Sequence, residues 1–280
     1  MSAYDVDMNI YEKTVRFYDG AITEKRIIGT SFFGKNLYAV KLGKGRPIGL
    51  AQYAIHGREF ITAELAFEHY RTGVKEGSLW LLPLMNPDGA LLSEVGISSV
   101  ETAEDRAFLL ALQMKDFSLW KANGRGVDLN VNFPARWGKG KRNVRQAGAE
   151  NYIGNAPFSE TETLALKNFT EEVAPDYTVS YHTKGEEIYW YFYQSIDTCP
   201  RDKGLAQVLS NSTGYPLANA VGSAGGYKDW CIERLGIPSF TIEAGADSYA
   251  HPLGYAALKD IIKKNKFALY DLSKEIKKYL

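Results

Sequence analysis

The chain has four histidines, at positions 56, 69, 182 and 251, so a histidine metal site can be assembled in few ways. Two of them sit alike: His56 in QYAIHGRE and His182 in TVSYHTKG each directly follow an apolar run that reads as a core strand. In open α/β sheets ligands collect at the carboxyl ends of strands. Glu59 stands three residues beyond His56 across a strand-to-helix turn, so both side chains can point at one ion. Two imidazole nitrogens and a carboxylate make a catalytic zinc set that leaves a coordination position for water. On spacing alone the blander alternative stays open, because HxxE is a common chance pattern and a lone strand-end histidine is more often a hydrogen-bonded structural residue.

Those residues need elements to hold them. Segment 26–42, RIIGTSFFGKNLYAVKL, carries two short β-branched and aromatic runs around Gly34, Lys35 and Asn36 and predicts a hairpin at a sheet edge. Residues 48–55 predict a buried strand, and 59–70 has helix-period apolar positions at Phe60, Ala63, Leu65, Ala66 and Phe67. A strand over 78–84 is expected to end in a turn at Asn86, Pro87, Asp88 and Gly89, followed by a helix over 101–120. Residues 124–152, rich in Gly, Asn and Arg, predict a long ordered loop, which in a compact domain is often functional. Ser159 and Glu162 predict a capping box opening a helix over 159–172. Strands are expected at 177–181, 187–193 and 239–242, a helix over 203–213, and one amphipathic helix with a solvated lysine face over 255–279. Alternating strands and helices, without an internal repeat or low-complexity linker, favour an α/β fold: one three-layer domain over 1–280, with 1–24 peripheral.

Composition narrows the function classes. Hydrophobic residues at 45% and charged residues at 24% fit a packed globular enzyme and argue against extensive disorder. Thirty-three basic residues balance 33 acidic ones, so net charge draws the chain neither to nucleic acid nor to an anionic membrane. Cys199 and Cys231 form no CxxC pair, which argues against a disulfide framework or thiolate metal site and fits a reduced compartment. The opening MSAYDVDMNIYEKTVRFYDG lacks the apolar stretch of a signal peptide, and no segment reaches membrane-spanning length, so the expectation is cytoplasmic, with a removed export signal left open. Oligomeric state is left open.

Taken in order, HGRE at 56–59, MNPDG at 85–89, NGRGVDLNVNFP at 123–134, NYIG at 151–154, PFSETET at 157–163, SYHTKG at 180–185, GGYKDW at 225–230 and FTIEAG at 240–245 resemble the zinc carboxypeptidase (M14) family. The resemblance implies a single α/β/α domain with a mixed, largely parallel, twisted sheet. It also implies one zinc ion on His56, Glu59 and His182. Glu243 matches the family's catalytic glutamate, and its setting agrees: it closes the apolar run SFTIE and is followed by small residues that leave space before it. Zinc can lower the pKa of bound water to roughly 7, and a nearby carboxylate can take a proton and later deliver it to the leaving amine. Arg125 lies where the family places a cation that polarises the scissile carbonyl, with Lys121, Arg136 and Arg142 as nearby competitors.

The departures concern substrate. Where exopeptidases of the family carry an Asn-Arg pair for the substrate's free carboxylate, this chain has Asn130 and Val131. Valine cannot make arginine's bidentate, charge-assisted bond. The family's mobile tyrosine falls by count near Val221; Tyr227 is the nearby hydroxyl, with a packed aromatic as its alternative reading. Lys228, two residues before Trp230, aligns with the base of the specificity pocket and favours a negatively charged group, unless it is simply a surface lysine. In these respects the chain is similar to the γ-D-glutamyl-meso-diaminopimelate peptidases, which implies a muropeptide as substrate. The competing expectations are an ordinary metallocarboxypeptidase, a deacylase of small acyl amino acids, and a non-catalytic peptide-binding module.

Overall fold

Alternation along the strands decides the layering of this protein. The computed structural model describes residues 8–112, 114, 116–219 and 222–279. Among them eight strands, β1 (Lys25–Thr30), β2 (Asn36–Gly43), β3 (Ile48–Tyr53), β4 (Ser78–Leu82), β5 (Tyr177–His182), β6 (Glu187–Tyr189), β7 (Leu217–Ala218) and β8 (Ser239–Glu243), form one sheet in the order β1-β2-β4-β3-β5-β8-β6-β7. Leu79 and Leu81 of β4 enter one apolar cluster while Trp80 and Leu82 enter the other, as a period of two requires. Strands β4, β3, β5 and β8 run parallel. A parallel core is covered on both faces, and every residue of β4 and β5 is buried.

Helices supply the covers. On one face lie α2 (Thr62–Thr72), α6 (Cys199–Thr213), α8 (Tyr255–Asn265) and α9 (Ala268–Glu275), with Leu65, Leu205, Ile261 and Leu272 in the cluster. On the other lie α5 (Thr161–Val173) and α7 (Tyr227–Leu235), with Phe169 and Trp230. The expected three-layer α/β/α arrangement with a mixed, mainly parallel sheet is what forms. Residues expected to be peripheral include α1 (Ile10–Gly20), opened by a capping box between Asn9 and Glu12, with Ile10 and Thr14 buried. No helix of the described residues is long and apolar enough to cross a membrane.

Several expected boundaries moved, each for a local reason. The turn at 86–89 is the start of α3 (Pro87–Val95): Asn86 caps it by accepting from the Gly89 N–H, and Pro87 takes the first helical position. The helix expected over 101–120 is only α4 (Ala103–Ala111), and further on the Asp116 carboxylate takes the Ser118 N–H, a local bond that competes with helix. The capping box at Ser159 does not form. Glu160 is the cap residue of α5, Ser159 donates to its carboxylate, and Glu162 turns inward to accept from the Phe32 N–H. Strand β6 stops at Tyr189 because the Gln194 side chain satisfies the Phe192 N–H and the Trp190 carbonyl. The last helix breaks between α8 and α9, where His69 rather than a following backbone N–H lies 3.0 Å from the Asn265 carbonyl.

Backbone contact ties the strand ends to the loops. A Cβ on Gly57 would lie 2.4 Å from the Gly89 carbonyl and 2.7 Å from that of Trp120, and one on Gly89 would lie 2.2 Å from the Ala122 carbonyl. HGRE, NPDG and the start of the long loop therefore press together main chain to main chain. Beside them two buried carboxyls secure the β1–β2 turn: Asp88 accepts from Ser31 Oγ and the Phe33 N–H, and Glu162 from the Phe32 N–H. Burial pushes their pKa values up, Asp88 to about 6 and Glu162 to about 7, with the Asp88 charge adding to the effect on Glu162.

Two outcomes follow. Gly57→Ala should lower stability by about 1–3 kcal/mol in urea unfolding, and an unchanged midpoint would contradict the close approach. The folded chain holds the Glu162 proton more tightly than the unfolded chain, whose carboxyl titrates near ~4.3. That stabilisation is complete below the unfolded value and is lost as pH rises through about 7. Glu162→Gln should therefore flatten the fall in urea midpoint between roughly pH 5 and 8, whereas a slope equal to that of the unmodified chain would mean that the carboxyl titrates normally.

Candidate metal centre and active site

Register in the parallel core brings the first groups together. Tyr53 pairs with Tyr181 and His182 with Glu243, so β3, β5 and β8 end at one edge. His56 arrives just past the end of β3, and one 3-10 turn, Gly57–Glu59, folds the Glu59 carboxylate back toward it. The Nδ1 atoms of His56 and His182 are 3.1 Å apart. Glu59 Oε1 is 2.9 Å from the first and Oε2 is 2.9 Å from the second. All three side chains are buried. The two imidazole nitrogens and a carboxylate oxygen all lie within 4.8 Å of one another. That N, N, O set fits an ion of the zinc type, and it is the one such group of three among the described residues.

A second shell of charge holds the first. Asp128, fully buried, places Oδ1 3.2 Å from His56 Nε2 and Oδ2 3.2 Å from Lys121 Nζ. It also accepts the N–H groups of Asn130 and Asn151, each at 3.1 Å. A carboxylate on the outer nitrogen of a ligand histidine fixes its ring and raises its basicity. Burial alone would raise the Asp128 pKa, yet Lys121 and His56 hold it far below the usual carboxylate range. Glu59 behaves alike: burial opposes ionisation, and His56 with His182 overrides it. Glu243 lacks such partners. Burial pushes it up to about 7, with Glu59 and Glu187 adding to the shift against His182 and Lys121. Such a value suits a group that must take and return a proton near neutrality.

These groups open onto a cavity of about 510 Å³ that includes His56, His182, Glu243, Lys121, Asn130, Val131 and Lys228 in its wall. A second cavity of about 910 Å³, walled by Trp137, Tyr191 and Tyr193, adjoins it through Asn219, Gly222, Ser223 and Ala224.

The sequence-predicted residues divide. His56, Glu59, His182, Glu243, Asn130, Val131 and Lys228 meet at one place. Arg125 does not: its guanidinium donates to Glu160 Oε1 at 2.7 Å and lies outside the cavity wall, while Lys121, one of its competitors, lies on it. Tyr227 is a packed aromatic whose hydroxyl meets Thr170 Oγ1 at 2.9 Å in the core. Val221 lies outside the described residues. Lys228 is not a free cation; its Nζ sits 2.6 Å from Asp229 Oδ1. Arg136 pairs with Glu233 and borders the second cavity, whereas Arg142 stands on the wall of the first, with no ion-pair partner among the described residues.

Among the wall residues not singled out from sequence are Asp128, Asp229 and Tyr189, whose hydroxyl donates to the Glu187 carboxylate. A signal existed for the first. Over residues 117–149 Asp128 is the sole acid among seven lysines and arginines.

Comparison with known proteins agrees with this fold. The chain matches the family described as Zinc carboxypeptidase over residues 9–268. It is 30% identical over 245 residues to gamma-D-glutamyl-L-diamino acid endopeptidase 1 of Lysinibacillus sphaericus, a match that covers 81% of this chain and 61% of that protein. Murein peptide amidase A of Escherichia coli (strain K12) is 33% identical over 223 residues, covering 73% of this chain and 77% of the amidase. For the fold, bovine thrombin-activatable fibrinolysis inhibitor, solved in complex with tick carboxypeptidase inhibitor, gives a TM-score of 0.78 at 21% identity over 100% of both chains.

Zinc binding to the folded chain should raise its thermal midpoint by an amount that grows with the logarithm of zinc concentration over its dissociation constant, and His182→Ala should abolish the rise. Asp128→Asn should weaken zinc about 10- to 100-fold in a chelator competition. Unchanged affinity in that variant would remove Asp128 from the metal centre.

Proposed function

Because this chain belongs to the zinc carboxypeptidase family, a family of hydrolases, we propose that it is a metallopeptidase that cleaves an amide bond in a small acidic peptide of the bacterial cell-wall kind, at a γ-D-glutamyl linkage to a diamino acid. The observation that carries the substrate reading is Val131. It stands on the cavity wall beside Asn130, where a carboxypeptidase of protein C-termini needs a guanidinium for the terminal carboxylate. The names borne by two relatives, a gamma-D-glutamyl-L-diamino acid endopeptidase and a murein peptide amidase, support the same reading.

His56, Glu59 and His182 would hold one zinc ion, through the two Nδ1 atoms and the carboxylate. When bound, zinc supplies a Lewis acid and lowers the pKa of water to about 7. Glu243, paired in register with His182 at the end of β8, takes a proton from the attacking water and returns it to the departing amine. Lys121 stands on the same wall as a fixed ammonium. Burial opposes its charge, but Asp128 and Glu59 more than offset that and hold its pKa up. It therefore stays cationic beside the carbonyl oxygen as negative charge develops there, the part that Arg125 was expected to play.

The retained metal set and Glu243 favour catalysis over a module that only binds peptides. One observation favours an ordinary carboxypeptidase: the exposed Arg142 on the cavity wall could take over the terminal carboxylate. Digestion of purified muropeptides with mass identification of the products separates the two. Peptides with free and amide-blocked C-termini should be cut at similar rates, and resistance of the blocked peptide would establish the carboxypeptidase instead. Glu243→Gln should keep its zinc and lose turnover, and Lys121→Met should lower kcat about 10²- to 10³-fold.

A further inference from the structure

The cavity of about 910 Å³ beside the active site plays no part in the chemistry above. Asn219, Gly222, Ser223 and Ala224 wall both cavities, whereas none of His56, His182 and Glu243 walls the second. Backbone bonds fix where it lies. The Phe133 N–H donates to the Gly225 carbonyl and the Gly225 N–H to that of Ala135, so the loop carrying Arg136, Trp137 and Lys139 leaves from beside the segment that leads into α7. Arg136 then pairs with Glu233, two turns along that helix. The second cavity therefore extends along α7, away from the metal ligands and past Val131, whose carbonyl a Cβ on Gly225 would approach to 2.7 Å.

Its chemistry is one-sided. Arg136, Lys139 and Arg234 line it together with Trp137, Tyr191 and Tyr193, and among the described residues no aspartate or glutamate does. Glu233 is the one acid that meets these cations, with Oε1 3.1 Å from Arg136 Nε and Oε2 3.7 Å from Arg234 Nε. The two terminal nitrogens of Arg136 and the ammonium of Lys139 have no hydrogen-bond partner among the described residues. The Arg136 guanidinium carbon lies 3.4 Å from the centroid of the Tyr193 ring, and Trp137 Nε1 donates to the Ile153 carbonyl at 3.0 Å, so cation and rings are held in place. Arg136 and Tyr193 both have left-handed backbone, with φ of 49° and 51°. Such a conformation is costly in a residue with a side chain, and it clusters at ligand clamps.

Charge complementarity and continuity with the active site point to one occupant. A peptide that ended beside Val131 would leave its terminal carboxylate without a guanidinium. A peptide that continues presents only a neutral amide there and meets unpaired cations farther on. Fixed cations without neighbouring acids select anions, and aromatic faces cover the apolar stems between them. We propose that the second cavity binds an acidic segment of the substrate that continues beyond the residue following the cut bond, with Arg136 and Lys139 on its carboxylates and Trp137 and Tyr193 against its stems. The bond is then cut within a chain, and the departing half is the part held. The inference rests on the peptidase reading above and adds to it a site for that half.

Calorimetry on the Glu243→Gln protein in the presence of zinc tests it with three amide-capped peptides that share one γ-D-glutamyl linkage to a diamino acid. One stops at the diamino acid, one continues through Ala-Glu-Glu and one through Ala-Lys-Lys. The acidic extension should bind at least about ten-fold tighter than either other peptide, a difference of about 1.4 kcal/mol. Arg136→Gln combined with Lys139→Gln should remove that advantage. Equal affinity for the acidic and lysine extensions would overturn the proposal, because the cavity would not select charge. Equal affinity for the acidic and unextended peptides would overturn it too, and leave the second cavity outside the path of the substrate; binding of none of them also refutes it. An advantage that survives the double substitution but is lost in Arg142→Gln would place the acidic segment in the first cavity and refute the site. The three-peptide comparison needs no change in the second cavity, so it decides even if those variants do not fold. Cleavage by the unmodified enzyme is scored separately. Selective binding of the acidic extension without cleavage of any peptide refutes the hydrolase reading alone, while cleavage of all three at equal affinity and equal kcat/KM refutes the second-cavity site alone.

Discussion

The buried charge of Asp128 is the constraint on which the site depends. A carboxylate removed from water must be met by donors and opposite charge or it does not stay ionised. Asp128 obtains them from four parts of the chain: His56 at the end of β3, Lys121 before the long loop, and the N–H groups of Asn130 and Asn151 near the loop's two ends. Each partner that satisfies Asp128 is thereby placed. The loop over 124–152 has little regular structure of its own, and the bonds that surround its one buried acid, Asp128, fix its path. The orientation of a metal ligand and the path of the loop thus share one cause.

The sheet contributes the complementary half. His182 and Glu243 sit opposite each other because β5 and β8 are parallel and in register, with nothing between them to adjust. The loop half must then be brought to this fixed edge, and the close approach of Gly57, Gly89 and the carbonyls of Trp120 and Ala122 does so. Side chains in that seam would hold the two halves apart. The glycines in HGRE and NPDG are therefore spacing devices, and the metal centre inherits its dimensions from main-chain contact.

Much of this was legible in the sequence. Strand-end histidines and a carboxylate three residues on are visible in local pattern, which survives folding when the strands are buried on both faces, but it is the order of the eight motifs that singles them and Glu243 out as a site. What was illegible depended on partners distant in the chain. Nothing near Arg125 announces that Glu160 will claim its guanidinium, so Lys121, whose partner is Asp128, occupies the wall instead. Ser159 and Glu162 have the spacing of a capping box, but the first engages Glu160 and Asn132 and the second the Phe32 N–H. Lys228 could be placed in the pocket from its distance to Trp230. Its neutralisation by Asp229 needed the side-chain geometry, because adjacent residues in a helix do not ordinarily face each other.

Tyr189 brings out a property of the cavity as a whole. Its hydroxyl is carried by a sheet strand and anchored to Glu187, rather than borne on a loop that must swing inward. The ordering of that side chain is complete before any ligand arrives, so its entropy is charged to folding and not to association. Any ligand that reaches this wall finds a partner already at rest.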